Sequence, residues 1–323
     1  MAIVEVENLR KEYGGFAAVE GSTFSIERGE VFGIVGPNGA GKTTTLKMIA
    51  GLIEPTDGTA TVAGHTPGEP AMQRRLGFLP EESPLYEEMT ALEYLIFFAD
   101  LYDVPSDVAR ERIDRTLDRL DLEHRTRRIG NMSKGMKRKV AIARALVNDP
   151  EVLIFDEPAS GLDPLTTNYI IEFTRELSEA GKTIIFSAHN LFHVESICDR
   201  VAVMNNGRIV ARGTVDEIRE THGGTEYYVY ATVDASHALG EISTSRENDQ
   251  VRHVVGGMDD VESIREAVDA EGGRITDIQT TTPSLEEIFL EIASGSDAEG
   301  TARSDTETDA DADTTDPEEE LEA

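Results

Sequence analysis

Eight consecutive residues near the start of the chain have the types and spacing that bind a phosphate chain. They match the pattern G-x-x-x-x-G-K-[ST] and follow a short apolar run, Val31 to Val35, that predicts a buried strand. Residues 44–50 then predict a helix that ends at Gly51. A glycine-rich turn that binds nothing is the alternative, and the strand before it and the helix after it disfavour that reading. The eight residues are Gly36, Pro37, Asn38, Gly39, Ala40, Gly41, Lys42 and Thr43.

Each part of this loop has a physical use. Glycine lets the backbone curl so that successive N–H groups point at one anion, and the helix that follows adds the positive end of its dipole. We expect Lys42 to reach the β- and γ-phosphates and the Thr43 hydroxyl to ligate Mg²⁺. Thr44, the next residue, belongs to the same predicted phosphate site.

Two carboxylates follow another apolar strand. Residues 151–155 predict a strand that is buried on both faces, and it ends in Asp156, Glu157 and Pro158. Ligands bind at the carboxyl ends of strands in open α/β sheets. Because adjacent strand residues point to opposite sides, we assign Asp156 to Mg²⁺ and Glu157 to the attacking water. A solvated acidic strand end is the alternative, and the phosphate-binding loop in the same chain disfavours it.

Three further residues are candidates. Tyr13 precedes the loop and could stack on a purine ring, although half-buried aromatic residues at strand ends are more common. His189 follows the predicted strand 183–187, near the acidic strand end, and a structural histidine is the alternative. Ser133 is a good helix N-cap, and the basic first turn after it is unusual unless that helix start faces an anion.

The elements that must position these residues predict three parts. The first two thirds of the chain alternate strands and helices as an α/β domain does, with a helical insert from Ala91 to about Leu122. Residues 222–294 predict a small α+β unit in which a ligand-sensing role and a dimer-support role are both open. Residues 295–323 are acidic and almost free of apolar side chains, which predicts a disordered tail. A polyacidic Ca²⁺ site is the alternative reading of that tail.

Charge and composition limit the classes of function. The chain has 62 acidic and 30 basic residues and a net charge of −32, which disfavours binding to nucleic acid or to an anionic membrane surface. An acid surplus in the folded part as well suits a salt-rich cytoplasm, which we state as a hypothesis. The single cysteine, Cys198, indicates a reducing compartment. No leader sequence and no run of about 20 apolar residues are evident, so we expect a soluble chain that docks on a membrane protein if it acts there.

The order of these motifs resembles that of the nucleotide-binding subunit of an ATP-binding-cassette (ABC) transporter, over about residues 1–221. The match comprises the phosphate loop, the helix start at Ser133, the Asp156-Glu157 strand end, the turn Ser160-Gly161-Leu162-Asp163, and His189. The resemblance implies a P-loop core of the RecA-like type with a flanking antiparallel sheet and a helical lobe at about 83–149. It also implies a homodimer that closes on two ATP molecules, with each phosphate loop facing the Ser133 helix start of the other copy.

The resemblance also implies roles for single residues. Tyr13 would stack on adenine, Glu157 would be the catalytic carboxylate, and His189 would contact the γ-phosphate as a switch. Asp163 would help couple the two sites across the dimer.

Two positions depart from the common family pattern. The usual signature Leu-Ser-Gly-Gly-Gln is here Met132-Ser133-Lys134-Gly135-Met136, which keeps the serine hydroxyl and the close backbone approach at Gly135. Glu81 replaces a glutamine, and its carboxylate can still ligate Mg²⁺. These variants resemble an exporter subgroup that includes antibiotic and sodium efflux systems with separate membrane subunits. Its members carry a closing segment like residues 283–286.

The resemblance implies an ATP-hydrolysing subunit that powers export through a separate integral membrane permease. Such a subunit is cytoplasmic and peripheral on the inner face of the membrane. One alternative is a non-transport ABC ATPase of DNA repair or translation, which the single cassette, the single cysteine and the acidity disfavour. Another is a regulatory protein that binds nucleotide without hydrolysis, which Glu157 disfavours.

Overall fold

The computed structural model describes residues 2–188, 191–222, 226–239, 242–247, 250–281 and 284–289. The predicted switch residue His189 and the predicted disordered tail, 295–323, lie outside the described residues. The strands are β1 Ala2–Tyr13, β2 Phe16–Glu27, β3 Val31–Val35, β4 Asp57–Val62, β5 Leu76–Leu79, β6 Val152–Asp156, β7 Thr183–Ala188, β8 Arg200–Asn205, β9 Arg208–Gly213, β10 Glu226–Ala231, β11 Ser243–Glu247, β12 Gln250–Val255 and β13 Ile275–Thr281. The α-helices are α1 Lys42–Ile49, α2 Pro70–Gln73, α3 Ala91–Leu101, α4 Ser106–Arg119, α5 Lys134–Ala145, α6 Pro164–Glu179, α7 Leu191–Ile197, α8 Val215–His222 and α9 Met258–Ala270.

A six-stranded sheet with the order β5-β6-β7-β3-β8-β9 forms the centre of the molecule. The first five strands in that order are parallel, and β9 pairs antiparallel with β8. Every residue of β3, β6 and β7 is buried, as their unbroken apolar runs predict. Only β7 separates β3 from β6, so the phosphate loop and the Asp156-Glu157 segment emerge at the same edge of the sheet.

A three-stranded antiparallel sheet, β2-β1-β4, covers one face of this centre. Its apolar side chains share a core with α1 and the central sheet, where the rings of Phe24 and Phe32 stack at 5.2 Å between centroids. Strands β1 and β2 run further than the predicted 3–6 and 19–26, because their pairing continues to Tyr13 and Phe16. The longer pairing carries the hairpin tip towards the phosphate loop.

Helices α3, α4 and α5 pack on the other side of the central sheet and share its core. Helix α3 begins with a capping box, in which Thr90 and Glu93 satisfy each other's backbone N–H groups. Pro105 separates α3 from α4, as the sequence predicts. Within the described residues, every helix is too short or too polar to span a lipid bilayer.

The α+β unit near the C-terminus contains a four-stranded antiparallel sheet, β11-β12-β10-β13, with α9 packed on one face. Residues 284–289, which follow β13, do not join that core. Leu285 and Ile288 are buried in the core of the first domain, and the Leu285 N–H donates to Glu195 of α7 at 2.8 Å. The chain therefore returns to the first domain after it has formed the small unit.

Shortening Leu285 to alanine tests this return. Leu285→Ala should lower the free energy of unfolding by about 2–5 kcal/mol, because it leaves a cavity in the core of the first domain. Urea denaturation measures the change. The control Met258→Ala, at an exposed apolar position of α9, should stay within about 0.5 kcal/mol of the parent. Equal effects of the two substitutions would contradict the packing.

Candidate ATP-binding and hydrolysis site

A cleft of about 690 Å³ lies between the phosphate loop and the tip of the β1–β2 hairpin. It brings together four features that the sequence predicts separately: Tyr13, the phosphate loop, Glu81 and Glu157. Its lining residues are Tyr13, Phe16, Ala18, Pro37, Asn38, Gly39, Ala40, Gly41, Lys42, Thr43, Thr44, Glu81, Glu157 and Ser160.

The phosphate loop has the tight backbone that its glycines permit. A Cβ at Gly36 would overlap the carbonyl oxygen of Met204, and one at Gly41 would lie 2.6 Å from the carbonyl oxygen of Ala18. Gly41 has a φ of 101° and begins α1 without a side-chain cap. The first turn of α1 contains no acidic residue, so its N–H groups and the helix dipole are open to an anion.

Lys42 is buried between this loop and the acidic strand end. Its Nζ donates to the carbonyl oxygens of Gly36 at 2.8 Å and Pro37 at 3.2 Å. It also lies 3.8 Å from Oε1 of Glu157. A positive charge and a carboxylate thus face each other at the base of the cleft.

Asp156 lies deeper, at the end of β6. Its Oδ1 accepts hydrogen bonds from Ser187 Oγ at 2.7 Å and from Thr43 Oγ1 at 3.3 Å. Its Oδ2 is buried and, among the described residues, has no hydrogen-bond partner. A buried carboxylate oxygen without a partner is costly, and a cation or its bound water would satisfy it. The hydroxyl and carboxylate oxygens here are hard ligands of the type that suits Mg²⁺.

The backbone of Glu157 has a left-handed conformation, with a φ of 48°. This conformation costs a residue with a side chain about 1–3 kcal/mol. The Glu157 N–H donates to Ser187 Oγ at 3.0 Å, and the Glu157 carbonyl accepts from Arg138 at 2.7 Å. The apolar run before them predicts that Asp156 and Glu157 are neighbours on one strand. The strand in fact ends at Asp156, and the left-handed turn sets the direction of Glu157.

The signature residues lie outside this cleft within the same subunit. Ser133 caps α5 by accepting from the Met136 N–H at 3.2 Å, as predicted. A Cβ at Gly135 would lie 3.1 Å from Cγ2 of Thr166, so α5 begins close against the start of α6. Asp163 caps α6, because its carboxylate accepts hydrogen bonds from the hydroxyl and the N–H of Thr166. These hydrogen bonds hold the pKa of Asp163 below its usual value.

Lys134, the departure from the usual signature, packs on the neighbouring turn. Gly161 in that turn has a φ of 64°, and a side chain there would overlap the Lys134 ammonium. The Lys134 side chain, at a position where the usual signature has glycine, therefore covers the Ser160–Asp163 turn of its own subunit.

Three residues of this region have no role in the sequence-based predictions. Phe16 and Ala18 line the cleft, and Arg138 is buried beneath it. Ser160, in the turn that is part of the resemblance, also lines the cleft. Burial lowers the pKa of Arg138 to about 10. The hairpin pairing could have indicated Phe16. The pattern of α5 gives no signal that an arginine points inward.

Comparison with known proteins identifies the family of the chain. The family described as ABC transporter matches residues 19–160, and the one described as the C-terminal domain of DrrA1-3-like ATP-binding proteins matches residues 213–293. The chain is 33% identical over 304 residues to the linearmycin resistance ATP-binding protein LnrL of Bacillus subtilis, covering 90% of this chain and 98% of that protein. It is 41% identical over 219 residues to a Nod factor export ATP-binding protein I of Ralstonia nicotianae, covering 67% and 68%.

A solved dimeric ATP-binding cassette in a post-hydrolysis state, bound to ADP and Pi, is also similar. It is 26% identical and has a TM-score of 0.60, with 65% of this chain and 98% of that chain covered. The fold and the site define a P-loop ATPase of the cassette type. The chain belongs to the ATP-binding subunits of ABC transporters, which hydrolyse ATP to power transport.

Substitutions at position 157 test the left-handed conformation. Glu157→Gly should be more stable than Glu157→Ala by about 1 kcal/mol, because glycine adopts positive φ without a Cβ penalty. Urea denaturation of both variants gives the difference. At Glu179, in the last turn of α6, the same pair should show the reverse order, since helices favour alanine. A less stable Glu157→Gly would contradict the assigned backbone.

Proposed function

We propose that two copies of this chain bind ATP and Mg²⁺ in the two clefts and hydrolyse ATP to drive export through an integral membrane permease. The observation that carries the nucleotide part is the arrangement at the sheet edge. The phosphate loop and the Lys42–Glu157 pair line one cleft. Next to Thr43 of that loop, Asp156 Oδ2 is buried and has no hydrogen-bond partner among the residues that the structure describes.

Each group in the cleft has a role in this proposal. Thr43, Asp156 and Glu81 would hold Mg²⁺, which supplies charge neutralisation at the phosphates when bound. Lys42 would exchange its loop carbonyls for phosphate oxygens. Tyr13, whose side chain is 51% exposed at the hairpin tip, would stack on the adenine ring.

Glu157 is the proposed catalytic carboxylate. Its side chain lines the cleft beside Lys42, where it can orient a water molecule and accept its proton as that water attacks the γ-phosphate. His189 lies outside the described residues. It follows Ala188, the last residue of β7, and we retain it as the proposed γ-phosphate switch.

The signature residues support a dimer. Ser133 and Gly135 begin α5, whose first turn contains no acidic residue, and within one subunit they lie outside the cleft. In the proposed dimer they face the ATP in the partner's phosphate loop, and Asp163 couples the two sites. The similar solved cassette is a dimer, which supports this arrangement.

Glutamine at position 157 tests the catalytic role. Glu157→Gln should lower the rate of ATP hydrolysis by about 100-fold or more and leave ATP affinity within about threefold of the parent. It should also accumulate as a dimer in Mg-ATP, measured by light scattering. The control Glu179→Gln removes an exposed carboxylate and should keep the parent rate. Hydrolysis by Glu157→Gln at the parent rate would contradict the assignment.

An apolar groove of about 410 Å³ between the helical lobe and the central sheet supports the membrane partner. Leu52 is 58% exposed at one side of it and Leu101 is 62% exposed at the other. Exposed apolar patches of this kind mark protein interaction sites. The groove is lined by Ala50, Leu52, Gln73, Leu76, Gly77, Phe78, Phe98, Leu101, Tyr102, Arg144 and Ala145.

We assign this groove to a cytoplasmic segment of the permease, which places the subunit peripherally on the inner face of the membrane. The net charge of −32 disfavours direct contact with anionic lipid, and in this proposal the permease supplies the attachment. Export is the proposed direction, because the similar proteins include a resistance protein and an export protein.

A charge in the groove tests the docking proposal. Leu101→Glu should reduce recovery of the subunit with its permease from solubilised membranes by about tenfold, because a carboxylate would be buried at the contact. Its ATP binding in solution should persist. The control Met258→Glu places the same charge at an exposed apolar position of α9. Equal recovery of both variants at the parent level would contradict the docking site.

A further inference from the structure

Arg138 of α5 lies beneath the cleft with only 8% of its surface exposed. Its guanidinium donates mostly to backbone carbonyl oxygens and to no carboxylate in the described hydrogen bonds. Nε donates to the carbonyl oxygen of Pro158 at 2.7 Å. Nη1 donates to the carbonyl oxygens of Pro80 at 2.7 Å and Glu81 at 3.0 Å, and to Ser83 Oγ at 3.4 Å. Nη2 donates to the carbonyl oxygens of Glu157 at 2.7 Å and Asp156 at 3.1 Å.

These acceptors belong to two segments that leave neighbouring strands. One segment follows β5 and carries Glu81, and the other follows β6 and carries Glu157. Both glutamates line the nucleotide cleft. One guanidinium therefore joins the backbones that hold both carboxylates.

The same contacts hold the left-handed turn at Glu157. Arg138 donates to the carbonyl oxygen of Glu157, and the N–H of Glu157 donates to Ser187 Oγ at 3.0 Å. With both backbone groups held, the φ of 48° persists against its strain. The direction of the Glu157 carboxylate depends on that φ.

We propose that Arg138 is a positioning residue for ATP hydrolysis, which sets the directions of the Glu157 and Glu81 carboxylates through their backbones. This inference rests on the proposed function, which gives Glu157 the hydrolytic role.

The chemistry of the guanidinium accounts for arginine at this position. Its planar fork presents five N–H donors in three directions, whereas a lysine ammonium is a point charge at the end of a flexible chain. A lysine could bind one segment, but it could not hold both in one geometry. Glutamine would retain two donors and lose the charge.

The test compares Arg138→Gln and Arg138→Lys in the full-length chain, with the parent and Lys139→Gln as controls. Lys139 is the next residue of α5, and its Nζ binds the Asp121 carbonyl at 3.3 Å, away from the cleft. Three quantities are measured: kcat for ATP hydrolysis, the Kd for a fluorescent ATP analogue with Mg²⁺, and the melting temperature.

We expect kcat to fall by about 10–100-fold in Arg138→Gln while the Kd stays within about threefold of the parent. Lys139→Gln should keep the parent kcat. A folded Arg138→Gln with a kcat within about twofold of the parent would overturn the proposal. Should that variant fail to fold, Arg138→Lys decides: a kcat about fivefold lower or more supports the proposal, and the parent kcat overturns it.

A second measurement separates positioning from general stabilisation. Arg138→Gln is combined with Glu157→Gly and, separately, with Glu157→Ala. If Arg138 holds the left-handed turn, Arg138→Gln should lower the melting temperature less beside glycine, which needs no support at positive φ, than beside alanine. Equal losses in the two backgrounds would overturn this part. Failure of the Glu157 role itself is distinguishable, because Glu157→Gln would then hydrolyse ATP at the parent rate.

Discussion

The rest of the structure depends on one constraint at the buried edge of the central sheet. The segment that follows β3 and the segment that follows β6 carry opposite charges and must stay together there. Lys42 follows β3, Glu157 follows β6, and their charged groups lie 3.8 Å apart. Burial of both charges is costly unless other polar groups support them. The carbonyls of the phosphate loop support Lys42, and the surroundings of β6 hold the backbone of Glu157. An anionic, metal-bound ligand is the partner that such a site suits.

The surrounding architecture keeps this edge in place. The buried strands β3, β6 and β7 fix the separation of the two segments because their registers are set by apolar side chains on both faces. The flanking sheet extends its hairpin towards the cleft and adds Tyr13 and Phe16. The helical lobe contributes Arg138 from below. The central sheet, the flanking sheet and the helical lobe therefore each bring a different chemical group to the region of the cleft.

Local patterns were enough to predict the phosphate loop, the acidic strand end, the cap at Ser133 and the α/β class of the fold. Each of these depends on residues that are adjacent in sequence. The left-handed turn at Glu157, the inward direction of Arg138 and the return of Leu285 to the first core depend on contacts between distant segments. Phe16 falls between the two cases, since it joins the cleft only because the β1–β2 pairing extends to the hairpin tip. The roles assigned to the single site residues, from Tyr13 and Glu81 to Glu157, Asp163 and His189, stay predictions.

Equilibrium binding of a fluorescent ATP analogue to the full-length chain tests the central claim most directly. With excess Mg²⁺, the parent should bind saturably, and Lys42→Ala should bind at least about tenfold more weakly because the buried cation at the phosphates is lost. Equal affinities of the parent and Lys42→Ala, or no binding by the parent, would contradict the account.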